Sequence, residues 1–399
     1  MNEDSSRLLQ RYRAALGGRR LPCLAVDLDH LESNAQTLLR LSPTLPIRVA
    51  SKSIRSVALL RHIAALSPRF QGVMAYSAAE AAFLAKVGFR DILIGYPSVE
   101  SSDLEAAARA ATQGVSMTFM VCETSQLASL KQAAAKAKAR LQVCVDLNQA
   151  TPVAGLFFGV RRSAIETPSQ ALSLAREIIA SPELRFFGFM GYDAQIAGVP
   201  DLAPGRALEN MVISQLKKIS WRRLLSRRKA VIEEVRRAGI TYELFNGGGT
   251  GSLKVSVNDP ALTEVTAGSG FYAPTLFDHY RDLVLKPAMF FALPVTRAGS
   301  KQWITCHGGG YPASGEAGES RLSKPYLPEG LALYRHEGGG EVQTPLSGRI
   351  EEIKVGDAVF FRHAKAGEIC ERFNEIHLIR GNKITETVNT YRGDGVMFL

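Results

Sequence analysis

A short apolar run, Pro46-Ile47-Arg48-Val49-Ala50, ends abruptly in Ser51-Lys52-Ser53. Such a run reads as a buried parallel strand, and the C-terminal ends of such strands are where an α/β barrel displays reactive groups. A lysine drawn into that position is costly to hold as a cation. Its pKa then tends to fall, and the neutral amine can form a Schiff base with a carbonyl. Taken alone, a strand-end lysine is more often simply exposed; two glycine-rich segments far downstream change the weighing. In Phe245-Asn246-Gly247-Gly248-Gly249-Thr250-Gly251-Ser252 three consecutive glycines let backbone N–H groups approach an anion, and Thr250 and Ser252 add hydroxyls. The second segment is Gly268-Ser269-Gly270-Phe271-Tyr272. In barrels the loops after strands seven and eight form the usual phosphate cradle. A lysine on the first strand with two such loops points to a phosphate-bearing cofactor.

The elements needed to position these residues are legible as apolar runs alternating with amphipathic stretches, the pattern of βα units. Strands are expected at Ile47 to Ala50, Val73 to Tyr76, Asp91 to Gly95, Met117 to Val121, Leu141 to Leu147, Phe186 to Met190, Glu243 to Phe245 and Glu264 to Thr266. Helices are expected at Ala78 to Lys86, Thr124 to Lys138 and Ser169 to Ile179. Eight strands in this order predict an α/β fold with a (β/α)8 barrel; the rival open sheet lacks its early GxGxxG turn. After about residue 282 the texture turns to short β-rich runs separated by Gly, Pro and Asn, as in a β domain. The expected organisation is a lead and strand over 1–30, with Leu24 to Leu28 pairing with the C-terminal domain. A barrel over 31–281 and a C-terminal β domain over 282–399 follow.

The chain has 399 residues, a formal charge of +10 and five scattered cysteines without CxxC spacing. Together with the acidic start Met1-Asn2-Glu3-Asp4, this predicts a cytoplasmic protein with reduced thiols and neither signal peptide nor zinc-cysteine site. No run approaches the roughly twenty apolar residues that span a bilayer. Much of the positive charge lies between Lys217 and Lys229, interleaved with Ile219, Trp221, Leu224 and Leu225. That spacing predicts an amphipathic helix with a solvated basic face, not a nucleic-acid site; such a surface can also attract anionic ligands.

The Lys52 segment, Asp146, Gly159-Val160-Arg161-Arg162-Ser163, Gly191-Tyr192-Asp193-Ala194-Gln195, Asn246 to Gly251, and Glu264 to Tyr272 resemble the fold-type III pyridoxal phosphate enzymes. The resemblance runs from about Leu21 to the C-terminus in the same motif order. It is greatest to the branch of D-threonine aldolase and D-serine dehydratase, with alanine racemase more distant. It implies that Lys52 carries pyridoxal phosphate, and that Gly248, Gly249, Thr250, Ser269 and Gly270 hold its phosphate. Gly268 and Tyr272 join the cofactor-binding positions. Arg162 matches the arginine near the phenolic oxygen, or else is a surface cation beside Arg161, and Tyr192 lies beside the cofactor. The implied activity is that of a lyase on a D-configured β-hydroxy amino acid, by aldol cleavage or dehydration. The alternatives are an amino-acid racemase and a non-catalytic pyridoxal phosphate-binding protein.

Two positions depart from the pattern. Metal-binding members of the family carry His-x-Cys or His-x-Asp; here the match is His363-Ala364-Lys365. An ammonium repels a divalent cation unless it is deprotonated, which argues against a metal and leaves His363 as a metal-free base, a carboxylate-holding group or a structural histidine. His307 occupies the place of the racemase tyrosine and could exchange protons near neutral pH. The resemblance also implies a head-to-tail homodimer in which His307 and His363 face the partner's Lys52. The identity of the amino acid substrate depends on loops that a sequence does not place.

Overall fold

The computed structural model describes residues 3–153 and 155–399; the first two residues of the expected N-terminal lead lie outside them. Eight parallel strands close into a barrel: Ile47–Ala50, Phe70–Ala75, Asp91–Ile94, Ser116–Val121, Leu141–Asp146, Leu184–Gly191, Leu244–Gly247 and Glu264–Ala267. Closure is made where Val265 pairs with Ile47 and Ala267 with Val49. All eight expected strands are present, the first at its expected residues and the other seven with shifted ends. The second begins three residues earlier than expected, at Phe70, because Gly72 and exposed Gln71 interrupt the apolar run there. Gly72 is required there: at φ +63 it occupies the left-handed region, and a Cβ would strike the Arg48 guanidinium and the Asp91 carboxylate.

That guanidinium belongs to a polar layer across the barrel's lower interior. Arg48 meets Glu264 through Nε–Oε1 at 2.6 Å and Nη2–Oε2 at 2.9 Å, and Asp91 through Nη1–Oδ1 at 2.9 Å. Asn246 Nδ2 donates to Glu264 Oε1 at 2.7 Å and Thr266 Oγ1 at 2.8 Å. A buried arginine that satisfies both carboxylate oxygens in bidentate geometry avoids the penalty of an unpaired charge.

The C-terminal part forms a separate nine-stranded sheet. Strand Cys23–Asp27 enters it centrally, antiparallel to Met289–Arg297 and parallel to Glu375–Arg380. Alternation explains why all five of its residues are buried. Leu24 and Val26 join the main core, whereas Cys23 and Ala25 pack with Leu9, Tyr12 and Leu16 of helix Glu3–Leu16 on the other face. Asp27 then caps helix Leu28–Leu41 by accepting from the N–H groups of Asp29 and His30. All five cysteines are buried and unbridged. No helix among the described residues is long and apolar enough to cross a membrane.

The basic stretch does lie on a helix, Ala207–Arg237, but its basic residues are not all solvated. Arg228 is fully buried, with Nη1 2.7 Å from Asp259 Oδ2 and Nη2 donating to the Gly191 carbonyl at 2.6 Å. Lys217 is largely buried against Asp201 at 3.3 Å. Their acidic partners come from loops distant in sequence, so a single-helix charge pattern could not reveal them.

Candidate active site

A cavity of about 180 Å³ opens at the C-terminal end of the barrel. It is lined by Lys52, Tyr96, Arg162, Tyr192, Gly248, Gly249, Thr250, Gly268 and Ser269 among others. Each stands just past the end of a barrel strand or on the loop that follows it. The expected lysine, arginine and glycine-rich loops therefore converge on one space.

Lys52 lies in the single turn Ser51–Ser53 that ends the first strand. It is exposed at the mouth, not buried as expected, because the turn lifts its side chain clear of the apolar run. Lys52 Nζ donates to Tyr96 Oη at 2.6 Å and lies 5.1 Å from that ring's centroid. The Arg162 guanidinium sits between two tyrosines, 5.4 Å from the Tyr96 centroid and 5.0 Å from that of Tyr192. It is thus a cavity cation. Burial pushes the Tyr96 phenol up, but the charges of Lys52 and Arg162 outweigh it and the net shift is downward. Tyr192 shows the opposite balance, where burial dominates Arg162 and raises the phenol to about 12. Asp146 ends the fifth strand outside the lining; burial raises its carboxyl to about 7, with Arg162 opposing.

The glycine-rich loop after the seventh strand is held from behind by Asp193. Its Oδ1 accepts from the Gly248 N–H at 2.7 Å, and its Oδ2 accepts from Ser256 Oγ at 2.8 Å. Gly248 adopts φ +75, so the turn itself requires glycine. A Cβ on Gly249 would meet Ala197 Cβ at 2.8 Å and Tyr192 Cε2 at 3.0 Å. One on Gly268 would meet Ala50 and Ser53 Cβ, each at 2.8 Å. These glycines keep the floor of the cavity open. Thr250 Oγ1 accepts from the N–H of Gly270 at 3.1 Å, joining the two loops. An amine, a cation and a glycine-and-hydroxyl cradle around one cavity fit pyridoxal phosphate.

Three expected residues fall elsewhere. Gly270 lies behind the cradle, bonded to Thr250 and outside the cavity lining. Tyr272 is a core residue whose hydroxyl donates to the Ile54 carbonyl at 2.9 Å, so it packs the wall without facing the cavity. His307 is exposed at the end of strand Ile304–His307, also outside the lining.

His363 lines a second cavity, of about 420 Å³, with Arg55, Lys365, Glu368 and Glu371. Burial and then the Arg362 charge lower its pKa to about 3, the Met289 carbonyl opposing only in part. Neither ring nitrogen makes a hydrogen bond of ordinary geometry among the described residues, the Met289 carbonyl being the nearest acceptor. The 363–367 segment packs against the backbone of the Lys52 turn of its own chain. Thr275 and Leu276 donate to the carbonyls of His363 and Ala364, and a Cβ on Gly367 would strike the Lys52 carbonyl. A divalent metal does not fit this segment. Among the described residues no three His, Cys, Asp or Glu side chains gather as ligands. Lys365 instead donates to the Ser314 carbonyl at 2.8 Å, and burial, Arg321 and Lys52 lower its pKa with Glu368 opposing.

Sequence reasoning missed Tyr96 and the supporting roles of Asp193 and Arg228. Tyr96 carried a signal, since it stands two residues beyond the third strand, at the same end of the barrel as Lys52.

Comparison with known proteins agrees with this geometry. The family profile described as alanine racemase, N-terminal domain, matches residues 26–274. Two 3-hydroxy-D-aspartate aldolases of Paracoccus denitrificans are 25% and 27% identical over 250 residues, or 62% of this chain. The match spans 59% of the length of these curated relatives. Among solved structures, D-threonine aldolase from Filomicrobium marinum is similar with a TM-score of 0.81 at 22% identity, covering 94% of this chain and 95% of the other. D-threo-3-hydroxyaspartate dehydratase from Delftia sp. HT23 gives 0.76 at 16%, covering 94% and 98%. At these identities the structures speak for a shared fold.

Proposed function

The chain belongs to the alanine racemase N-terminal domain family of fold-type III pyridoxal phosphate proteins, and on that premise we propose that it is a lyase acting on a D-configured β-hydroxy amino acid. The observation that carries this reading is the convergence of Lys52, Arg162 and the two glycine-rich loops on one cavity. The names of the similar proteins, aldolases and a dehydratase of D-configured hydroxy amino acids, support it.

In this reading Gly248, Gly249, Thr250, Gly268 and Ser269 hold the phosphate, Arg162 and Tyr192 flank the ring, and Lys52 supplies the amine. When bound, pyridoxal phosphate supplies an electron sink for the pair left on Cα. The protein's own part is orientation and proton transfer. Arg162, fixed between two aromatic rings, presents a constant positive charge to an anionic ligand. Lys52 Nζ, at the mouth and bonded to Tyr96 Oη, exchanges protons with Cα. Asp193 holds the cradle without entering the cavity. The racemase alternative needs a second base opposite Lys52; His307 does not line the cavity of its own chain, so in a head-to-tail homodimer that base would have to come from the partner. A homodimer belongs to the same proposal and is checked by sedimentation.

The test is a panel of D- and L-β-hydroxy amino acids assayed for aldehyde, oxo acid and racemised product, with Lys52→Ala as control. Release of an aldehyde or oxo acid from D-substrates alone is expected. Borohydride should abolish the visible absorption and fix the cofactor's mass on Lys52; a mass on another lysine overturns the assignment.

A further inference from the structure

The lyase reading leaves one chemical need unmet. Cleavage of the Cα–Cβ bond requires a base for the β-hydroxyl, and neither His307 nor His363 lines the cavity of its own chain. His307 is exposed away from the cavity. His363 lies in the second cavity, on the far side of the Lys52–Arg55 turn, and its ring is fully enclosed. Among the described residues, the titratable side chains lining the first cavity are Lys52, Tyr76, Tyr96, Arg162 and Tyr192.

These groups are not equivalent. Arg162 is a permanent cation and Lys52 is already assigned to Cα. Tyr76 stacks under the Arg55 guanidinium at 5.4 Å, and burial followed by the Glu80 charge raises its phenol. Tyr192 is part-buried in the cavity wall, and burial likewise raises its phenol. Tyr96 alone has its hydroxyl bonded to Lys52 Nζ, at 2.6 Å, with a second cation against its ring. The charged and titratable groups facing it come from three separate loops: Lys52 after the first strand, Arg162 after the fifth and Tyr192 after the sixth. The two cations stabilise an anionic oxygen there, and Tyr192 opposes it. Burial alone would push the phenol up, yet the net shift is downward.

We propose, resting on the lyase reading, that Tyr96 is the catalytic base for the substrate's β-hydroxyl and that it shares a proton circuit with Lys52. The Tyr96 phenolate oxygen takes the β-hydroxyl proton. The O–H electron pair becomes the second bond of the departing aldehyde's carbonyl. The Cα–Cβ bond breaks, its pair stays on Cα, and the Lys52 ammonium delivers a proton to that carbon. Tyr96 is now a phenol and Lys52 a neutral amine, joined by their hydrogen bond. One proton passing from Tyr96 Oη to Lys52 Nζ restores both groups. Atoms and charge balance with no metal and no external base.

The experiment has two arms. In the cofactor-free protein, the near-ultraviolet tyrosinate signal is titrated in wild type, Tyr96→Phe and Lys52→Met. One tyrosine should ionise below the ordinary range in wild type, vanish in Tyr96→Phe and move upward in Lys52→Met. In the loaded enzyme, Tyr96→Phe should lower kcat for cleavage of a D-β-hydroxy amino acid by about 100-fold or more, the low end for a lost general base. It should also erase the acidic limb of the pH profile, and α-proton exchange of D-alanine in D2O should fall far less than cleavage does. The proposal is overturned by a low-titrating tyrosine that survives Tyr96→Phe, by cleavage with an unchanged pH profile, or by parallel loss of exchange and cleavage. Wild type that releases neither aldehyde nor oxo acid in the panel sinks the lyase reading itself; release of oxo acid alone overturns the Tyr96 proposal and leaves that reading standing, and a Tyr96→Phe enzyme that still cleaves is distinct from both.

Discussion

Arg228 and Lys229 are adjacent cations on one helix, and replacing each with methionine should have very different consequences. Arg228 is fully buried, 2.7 Å from Asp259 and 3.7 Å from Asp193, two carboxylates that are themselves enclosed. Removing the arginine strands both charges, and breaking a buried pair in this way costs about 3–5 kcal/mol. Lys229 has a side chain 79% exposed and a 3.8 Å contact with Glu233 one turn away. An exposed pair of that spacing contributes about 0.3–0.5 kcal/mol. At about 2–4 °C per kcal/mol for a domain of this size, Arg228→Met should lower the Tm by about 6–20 °C and Lys229→Met by no more than about 2 °C. The assay is thermal unfolding of the cofactor-free protein at one pH and ionic strength. The triple variant Arg228→Met, Asp193→Asn, Asp259→Asn should recover part of the loss, because the stranded charges are gone. Asp193 also holds Gly248, so Arg228→Met should weaken pyridoxal phosphate binding as well. Equal Tm changes for the two single variants would refute the reasoning.

Three further outcomes are expected. In Gly249→Ala the new methyl presses on Ala197 and on Tyr192, a cavity wall, and overpacking of about 1–3 kcal/mol should weaken cofactor affinity about 5- to 150-fold; unchanged affinity in a folded variant moves the phosphate site elsewhere. Exhaustive chelation should leave turnover within about twofold, since no ligand set gathers at His363; stoichiometric metal, with activity lost on chelation and restored by manganese or zinc, would show the opposite. Burial raises the Glu80 carboxyl from 4.5 to about 7, against the hydrogen bonds of Tyr76, Ser51 and Tyr391. The folded state therefore binds this proton more tightly than the unfolded chain, and its stabilising effect is complete below pH 4.5 and lost as pH rises through 7. Glu80→Gln should flatten that decline, worth ~3 kcal/mol at about 1.36 per pKa unit, in denaturant titrations across the window; identical slopes would contradict it.

The barrel was legible because its strands are short apolar runs bounded by turn residues, and two elements, Ile47–Ala50 and Ala78–Lys86, lie at the expected residues. Helix Thr124–Ala137 stops one residue early because Lys138 adopts the left-handed conformation and caps it. The glycine-rich loops were legible for a related reason, since backbone that approaches a ligand closely admits little else. What could not be read were side-chain environments made by distant segments. Arg228 looks like its neighbours in sequence and is buried only because Asp193 and Asp259 converge on it. Tyr96 looks like any strand-end aromatic until Lys52 and Arg162 arrive from two other loops. His363 matched a metal-ligand pattern, yet its place beside its own chain's Lys52 is set by the carbonyl contacts of Thr275 and Leu276.

The position of Lys52 follows from how the two domains meet. Past Lys52 the chain turns through Arg55, a non-glycine residue at φ 48, a conformation that costs roughly 1–2 kcal/mol and must be held from outside. The holding groups come largely from the C-terminal domain. The Arg55 carbonyl accepts from the Tyr391 N–H at 2.9 Å, its Nη1 meets Glu371 at 2.6 Å, and Ser56 Oγ donates to the Asn389 carbonyl at 2.7 Å. Tyr272, the residue expected to touch the cofactor, secures the Ile54 carbonyl from the barrel side. The backbone on either side of Lys52 is therefore fixed, while the side chain stays exposed and meets Tyr96. A fixed backbone under an accessible amine is what a lysine needs if it must hold a cofactor and also carry protons. The C-terminal sheet thus contributes to the chemistry by clamping the turn that presents Lys52.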